Sequence, residues 1–291
     1  ATAPGGWPTS GGTDGAGVPY DAVTLGAASA YIVLEPGSAG PIQTAISDGL
    51  ISGGNNRGIY ATDWQRFRTS AGHVASGSYS IVAGGRQNLA SGTDATASGG
   101  QANQATADAS TVSGGQLNTA SGPQSAISGG STNQTGVAAN YATIIGGREN
   151  ETVSEGSVCM GIRSRTFTSG QMVHASGSFS GTPSGDAQHG RMVLRATTNA
   201  SAVELNSNAG LKALSDSDYL TLSNKTGHFF TLHVVARAVA PGENAWWSVQ
   251  GCIIKDNNAA STTLIGPTPP SVPIGSAGAF APNWLLNVTA D

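Results

Sequence analysis

Apolar residues between about positions 75 and 165 occur in short clusters that recur at a fixed period. Each of the first five clusters is followed by a Gly-Gly pair, and an Asn stands three places after the pair; a last, degenerate copy lacks both. The first four pairs are 15 residues apart, and the fifth follows after 17. Small and β-branched residues in short runs, punctuated by Gly-Gly, predict short strands joined by tight turns. A fixed period this short is typical of stacked coils that share one continuous core.

The turn of each coil carries the same three residues, which define the structural repeat. They are Gly84, Gly85 and Asn88; Gly99, Gly100 and Asn103; Gly114, Gly115 and Asn118; Gly129, Gly130 and Asn133; and Gly146, Gly147 and Asn150. The Gly pair permits positive φ at no steric cost. For the Asn three roles are open: left-handed geometry, a bond to its own turn, or stacking on its counterparts in neighbouring coils as a ladder.

The core that these apolar clusters build is narrow, because its side chains are of modest size. The six clusters are residues 81–82, 96–97, 111–112, 126–127, 144–145 and 158–160. A thin roll buries little of its surface, and self-association around an axis is the usual way to bury more. We therefore expect a homo-oligomer.

The repeat pattern Ala-Ser-Gly-x-x-Ser-x-(Val/Ile)-x-Gly-Gly-x-x-Asn resembles the repeats of phage tail-fibre and tailspike proteins. It is also similar to the left-handed β-roll heads of trimeric autotransporter adhesins. Flanking segments extend the likeness to about residues 50–291; they are residues 57–65, 194–198, 246–254 and 258–266. The resemblance implies a homotrimeric β-roll shaft, a β-rich carboxy-terminal domain and a role in host attachment.

Composition and resemblance together divide the chain into five regions. They are residues 1–20, a flexible attachment arm; 21–72, an amino-terminal β-rich cap or attachment region; 73–166, the repeat β-roll; 167–190, a neck or linker; and 191–291, a carboxy-terminal β-sandwich. The predicted fold class is all-β, with a 15-residue-repeat β-solenoid shaft followed by an antiparallel, jelly-roll-like sandwich. Trp64 and Phe67 are expected to seal the first coil, since solenoids need caps against water and edge pairing.

Beyond residue 191 the pattern changes to longer alternating strands. In residues 230–240 the even positions are apolar, which predicts a half-buried strand of an antiparallel sheet. Residues 241–244 are expected to turn the chain, so that residues 245–255 return as the partner strand of a hairpin. Residues 262–265 and 284–288 are expected to add two more strands.

Aromatic residues of the carboxy-terminal region are the candidate binding residues, because host recognition needs exposed aromatic and polar groups on loops held by a rigid scaffold. They are Tyr219, Phe229, Trp246, Trp247 and Trp284. In a strand, one ring of Trp246-Trp247 must face outward. Burial of such a ring at a trimer interface is the alternative.

Composition limits the partners. Charged residues make up 10% of the chain, Gly contributes 42 of 291 residues, and the net charge is −4. With 13 Lys and Arg there is no basic face for nucleic acid. No apolar run approaches the roughly 20 residues of a membrane span, and no signal peptide is visible. The expected partners are the chain itself, other virion proteins through the amino-terminal region, and a host-surface glycan or protein. The expected location is a tail or baseplate appendage assembled in the host cytoplasm.

Paired carboxylates are the feature that a glycan-cleaving tailspike would need. The candidates are Asp216 with Asp218, and Glu149, Glu151 and Glu155. We expect the first pair to make turn bonds and the second group to form a solvated face, paired with Arg163 and Arg165. The chain is thus predicted not to be an enzyme. A glycan-degrading tailspike remains an alternative, as does an adhesin head, which requires an export signal and a membrane anchor in the full gene.

No cofactor and no metal are expected. Cys159 and Cys252 fall in different regions and are predicted to be buried, reduced thiols. None of the five His has metal-ligand spacing. His174 or His189 in the neck could collect three imidazoles near a three-fold axis, which is the less favoured alternative.

Overall fold

The structure, a computed structural model, describes residues 23–25, 30–32, 42–43, 49–51, 53–65, 67–178, 185, 187–194, 226–237, 244–255, 262–265 and 275–277. The chain divides into two compact units, Ala1–Leu220 and Thr221–Asp291. The described residues form strands and turns, and no helix occurs among them. The all-β prediction is therefore confirmed.

The described residues form 21 strands, most of them two or three residues long. In chain order they are β1 Val23–Leu25, β2 Ala30–Ile32, β3 Ile42–Gln43, β4 Thr62–Asp63, β5 Ile81–Val82, β6 Leu89–Ala90, β7 Thr96–Ala97, β8 Gln104–Ala105, β9 Thr111–Val112, β10 Thr119–Ala120, β11 Ala126–Ile127, β12 Gln134–Thr135, β13 Thr143–Arg148, β14 Glu151–Thr152, β15 Val158–Ile162, β16 Met172–Ser176, β17 Gln188–Arg191, β18 Thr226–Arg237, β19 Asn244–Lys255, β20 Thr262–Ile265 and β21 Gly275–Ala277. The two longest strands, β18 and β19, belong to the second unit.

Strands β4 to β16 build a β-solenoid whose successive coils stack in parallel. The long sheet contains β3, β4, β5, β7, β9, β11, β13, β15, β16 and β17, and the short sheet contains β6, β8, β10, β12 and β14. Equivalent residues pair at the repeat distance, as Thr96 pairs with Thr111 and Gln104 with Thr119. Parallel strands lie about 4.8 Å apart, so each coil advances the axis by that distance. The β-solenoid predicted from the period is confirmed.

The interior of the solenoid is lined by one apolar side chain from each of the six clusters and by Val173 of β16. Val82, Ala97, Val112, Ile127, Ile144, Cys159 and Val173 are fully buried on the long sheet. The inward residues of the short sheet are Ala90, Ala105 and Ala120, followed by Thr135 and Thr152. Because neighbouring residues of a strand alternate between the two faces, each coil contributes only a few side chains to this thin core.

Two corners of each coil place a residue other than glycine at positive φ. One set comprises Gln87, Ala102, Leu117, Thr132 and Glu149, with φ between 53° and 60°. The other includes Tyr79, Asp94, Ala109, Gln124 and Tyr141, with φ between 52° and 58°. Every member of the first set stands immediately before a repeat Asn. The left-handed role considered for the Asn is therefore wrong, because the preceding residue makes the turn.

The two glycines of each pair have different roles. Gly100 has a φ of +80°, and a Cβ on it would lie 2.1 Å from the carbonyl oxygen of Gly115 in the next coil. The second glycines of the other pairs meet the same obstacle at 1.8 to 2.2 Å. A Cβ on Gly99, by contrast, would meet no atom within 4 Å. Only the second glycine is therefore required by both backbone conformation and close approach.

The repeat Asn side chains form a continuous buried ladder. The backbone N–H of Asn103 donates to Oδ1 of Asn88 at 2.9 Å, and Asn118, Asn133 and Asn150 each repeat this bond to the preceding Asn at 3.0 Å. Each Nδ2 also donates to the first glycine of its own pair at 2.8 to 2.9 Å. A further bond joins each Nδ2 to a glycine carbonyl of the next coil. The ladder and turn-bond predictions are confirmed, and both belong to the same side chain.

Polar residues close the ladder at both ends. At the first coil, Oε1 of Gln65 accepts the Asn88 N–H at 2.8 Å, and Nε2 of Gln65 donates to the carbonyl oxygens of His73 and Asn88. At the last rung, the N–H and hydroxyl of Ser164 donate to Oδ1 of Asn150 at 2.9 and 2.7 Å. Gln65 and Ser164 thus supply the partners that the first and last Asn of the ladder would otherwise lack.

The inward position of β4 holds a buried ionic cluster and not an aromatic ring. Asp63 occupies the inward position below Val82, and its Oδ2 accepts bonds from Arg57 Nε at 2.9 Å and Arg68 Nη2 at 3.0 Å. All three side chains are fully buried. Trp64 is 39% exposed and Phe67 56% exposed, so the predicted aromatic seal is wrong. The physical reason is alternation, since inward Asp63 and Gln65 turn Trp64 outward.

One coil is two residues longer than its neighbours. Thr143 pairs with Ala126 and Glu151 with Gln134, each 17 residues apart, whereas the three preceding coils, from β5 to β11, pair at 15. The additional residues fall between β12 and β13, where Val137 is 80% exposed. The Asn150–Asn133 rung keeps its 3.0 Å bond across this coil. The insertion is therefore confined to one corner.

The region predicted as a neck, 167–190, contains strands. Parallel β16 continues the long sheet, and β17 pairs with it antiparallel, His174 opposite His189. Val173 and Ala175 are buried while Met172 and His174 are exposed. This alternation resembles that of the earlier coils, so the described part of this region extends the sheet and is not a linker.

The described residues of the second unit form one antiparallel sheet. β18 and β19 pair over twelve residues, β20 pairs with residues 252–255 of β19, and β21 pairs with residues 244–246. The hairpin is confirmed, with β18 placed at 226–237 instead of 230–240. The strand at 262–265 has the predicted bounds. A second sheet layer is not among the described residues, so the sandwich stays a prediction.

Several predicted features lie outside the described residues. They are the attachment arm at residues 1–20, the strand at 284–288, Tyr219, Trp284, Asp216 and Asp218.

Candidate binding face

The face of the second unit that carries the candidate aromatic residues is set by alternation along β18 and β19. Odd-numbered side chains of β18 from 227 to 235 are exposed, and even-numbered ones from 228 to 236 are partly buried. The register places Val235 opposite Trp246 and Phe229 opposite Cys252, and cross-strand partners share a face. The two ends of one exposed face are therefore apolar.

We call this surface the hairpin face and define it by Phe229, Val235, Trp246 and Ile265. Their exposed fractions are 72%, 78%, 45% and 52%. Ile265 pairs with Cys252, so it extends the Phe229 end of the face across a third strand. Phe229 and Val235 are six residues apart on β18, which corresponds to roughly 20 Å.

The centre of the hairpin face is polar. Thr231 lies opposite Gln250, and His233 lies opposite Ser248. These groups offer hydroxyl, amide and imidazole donors and acceptors between the two apolar ends. Such a surface can stack against sugar or aromatic rings and hydrogen-bond polar groups between them.

The opposite face of the same sheet is buried along β19 and partly buried along β18. Trp247 is 3% exposed, and Val249 is 4% exposed. The ring of Phe230 covers Gly251, where a Cβ would lie 2.7 Å from Phe230 Cζ. Burial lowers the pKa of His228 on this face. Of the predicted binding residues, Phe229 and Trp246 therefore share the exposed surface, and Trp247 packs on the other side.

The glutamates considered as catalytic groups take part in ion pairs. Glu149 binds Arg163, and Glu151 lies 3.3 Å from Arg165 Nε. These pairings follow the sequence expectation. Their side chains are between a quarter and about a third exposed, which marks them as a surface ladder between neighbouring coils.

The two cysteines differ in environment. Cys159 is fully buried, its thiol lies 3.1 Å from the Glu151 carbonyl oxygen, and burial raises its pKa to about 12. Cys252 is only half-buried, because it shares the hairpin face with Phe229. The expectation of a buried thiol holds for Cys159 and is wrong for Cys252. Neither is in a disulfide.

Sequence reasoning missed two features of the first coils. The Arg57–Asp63–Arg68 cluster was not expected, because its members have no regular spacing. Tyr60 and Tyr79 stack on the outside of neighbouring coils with ring centroids 5.0 Å apart. Their separation of 19 residues, instead of 15, hid this pair from the period.

Within the part of the chain that the structure describes, no three His, Cys, Asp or Glu side chains converge on a point that could hold a metal ion. No described helix has the length and hydropathy that crossing a membrane requires. A comparison with family models, curated proteins and solved structures found no match for the chain. The assignment of function therefore rests on the residues of the chain itself.

Proposed function

We propose that this chain is a phage virion protein, a tail fibre or spike that attaches the particle to its host without catalysis. The solenoid serves as a rigid shaft, the amino-terminal region joins other tail or baseplate proteins, and the carboxy-terminal unit contacts a host glycan or protein. The protein is a homotrimer assembled in the host cytoplasm. The observation that carries the proposal is one chain that combines a regular solenoid with a separate sheet exposing large apolar side chains.

The outer face of the long sheet supports self-association. Along β4, β5, β7, β9, β11 and the first three residues of β13, the outward positions and the residues that follow the two-residue strands are Thr62, Trp64, Ile81, Ala83, Thr96, Ser98, Thr111, Ser113, Ala126, Ser128, Thr143 and Ile145; exposed Arg148, at the end of β13, lies beyond this set. None of these described positions holds a charged residue. Interface cores are depleted of charge because a buried ion loses its hydration. This face can therefore be covered by another copy at little electrostatic cost.

The hairpin face supports attachment. Aromatic side chains are enriched at binding surfaces because they give large contact area at small entropic cost. Phe229 and Trp246 are the only two of the predicted residues that the described structure places on a common exposed surface. A rigid two-strand scaffold holds them at a fixed separation, which favours recognition of an extended ligand such as a surface polysaccharide.

Solution mass tests the assembly. Light scattering is expected to give three times 28.9 kDa at all concentrations. Ser113→Glu places a charge on the outer face and is expected to weaken the trimer, whereas Gln116→Glu, at an exposed position outside the long sheet, is expected to leave it intact. A monomeric wild-type chain would contradict the shaft proposal.

Cell binding tests the attachment role. The fluorescently labelled chain is expected to bind a subset of strains in a panel of bacteria. Phe229→Ser with Trp246→Ala should remove that binding, and Leu117→Ser, a matched exposed change on the solenoid, should not. Equal binding by all three proteins would place attachment elsewhere, and release of reducing sugars from the cells would favour the glycan-degrading alternative.

A further inference from the structure

The last strands of the long sheet bring three potential metal ligands into one row. Met160 on β15 pairs with His174 on β16, and His174 pairs with His189 on β17. Residues paired across neighbouring strands point to the same face, with strands about 4.8 Å apart and antiparallel Cβ atoms about 4.5–5.5 Å apart. One thioether and two imidazoles therefore stand side by side.

This row faces outward. His174 and His189 are exposed and Met160 is partly exposed, while Cys159, Val173 and Ala175 point into the core. The two histidines were assigned to a linker from sequence, so their pairing follows only from the register of β16 and β17. The row lies within one chain and needs no symmetry-related copy to bring the ligands together.

The donor set selects the type of ion. Thioether sulfur favours soft ions such as monovalent copper, and imidazole is also a good copper ligand. The row contains no carboxylate, which hard cations such as Ca²⁺ and Mg²⁺ prefer. Arg191 is two residues from His189 on the same strand, opposite Met172, and its charge disfavours a divalent ion more than a monovalent one.

Methionine placement is a second observation. The whole chain has three Met, and two of them, Met160 and Met172, lie on this face. In the register column of Met172, strands β7, β9, β11 and β13 hold Thr or Ala and β15 holds Val158, while the residue of β13 paired with Met160 is Gly146. The thioethers thus concentrate where the two histidines meet.

We propose that Met160, His174 and His189 form a binding site for one monovalent copper ion per chain. The two imidazoles and the thioether act as neutral ligands, and the low coordination number that soft monovalent ions accept suits three donors on an open surface. Met172 flanks the row. The site is independent of the attachment function proposed above.

The test is an anaerobic titration of the full chain with Cu(I) in competition with a chromophoric Cu(I) chelator. One ion per chain is expected. His174→Asn and His189→Asn are each expected to weaken binding by about tenfold or more, because each removes one arm of a chelate. Met160→Leu, which conserves volume, is expected to weaken binding severalfold. His233→Asn and Met192→Leu are matched controls that should change affinity less than twofold.

X-ray absorption at the copper edge gives a readout that does not depend on a variant keeping its fold. Two nitrogen neighbours and one sulfur neighbour are expected for the wild-type chain. A nitrogen-only shell, or unchanged affinity in Met160→Leu, would overturn the thioether assignment. Absence of Cu(I) binding, unchanged binding in both His variants, or tighter binding of Zn²⁺ than of Cu(I) would overturn the site.

Discussion

The solenoid and the hairpin sheet are both β-structure, yet they are held together differently. In the solenoid, buried Asn side chains and close glycine contacts join each coil to the next, and core side chains are small. In the hairpin sheet, paired twelve-residue strands bury large side chains such as Trp247 on one face. The difference teaches that a thin core can be compensated by backbone and amide hydrogen bonds repeated at every coil, whereas a short sheet depends on a few large residues.

The largest effect is expected in the hairpin sheet. Trp247→Ala removes a ring that is 97% buried and should cost about 3–5 kcal/mol of unfolding free energy. Trp246→Ala, one residue away on the exposed face, should cost less than about 1 kcal/mol. Hydrogen exchange of the β18 and β19 amides measures both. Similar losses for the two variants would mean that the two faces of the sheet are not as distinct as described.

The next effect separates the two glycines of one pair. Gly100→Ala introduces a Cβ 2.1 Å from a backbone oxygen at a φ of +80°, so a loss of at least about 3 kcal/mol is expected. Gly99→Ala meets open space and should change stability by no more than about 1 kcal/mol. Denaturant unfolding followed by circular dichroism compares the pair. If Gly99→Ala were the more damaging change, the assigned roles would be reversed.

A single missing rung tests the ladder. Asn118→Ala removes the acceptor of the Asn133 N–H and the donor to the carbonyl oxygens of Gly114 and Gly130. Leaving such buried groups without partners should cost about 2–3 kcal/mol. Gln116→Ala, an exposed change in the same coil, is the control and should be nearly neutral. A neutral Asn118→Ala would show that the ladder follows the fold and does not stabilise it.

The smallest effect is expected for the surface ion pairs. Glu149→Gln removes the partner of Arg163, and because both side chains are partly exposed the loss should be at most about 0.5 kcal/mol. Raising the salt concentration should reduce even this difference, since solvent screens exposed charges. Thermal unfolding at low and high salt measures it. A large, salt-independent loss would indicate that the pair is a structural element on the scale of the Asn ladder.

The sequence predicted features that repeat and missed those that occur once. The 15-residue period predicted the coils, the inward apolar clusters and the Asn ladder, because each of these features repeats the same contacts in every coil. The ionic cluster at Asp63, the pairing of His174 with His189 and the burial of Trp247 instead of Trp246 depend on a register that no repeat specifies. In a two-sided strand, a shift by one residue exchanges the faces, so composition alone cannot say which of two adjacent rings is buried.

The coil lengthened between β12 and β13 has a consequence for how this architecture can change. Its two additional residues leave the pairing of Gln134 with Glu151 and the neighbouring Asn rung intact. A corner that absorbs extra chain without altering the coils on either side is a point where longer peptides can be grafted. The solenoid can thus acquire or display new segments at the Val137 corner while its axial spacing stays constant.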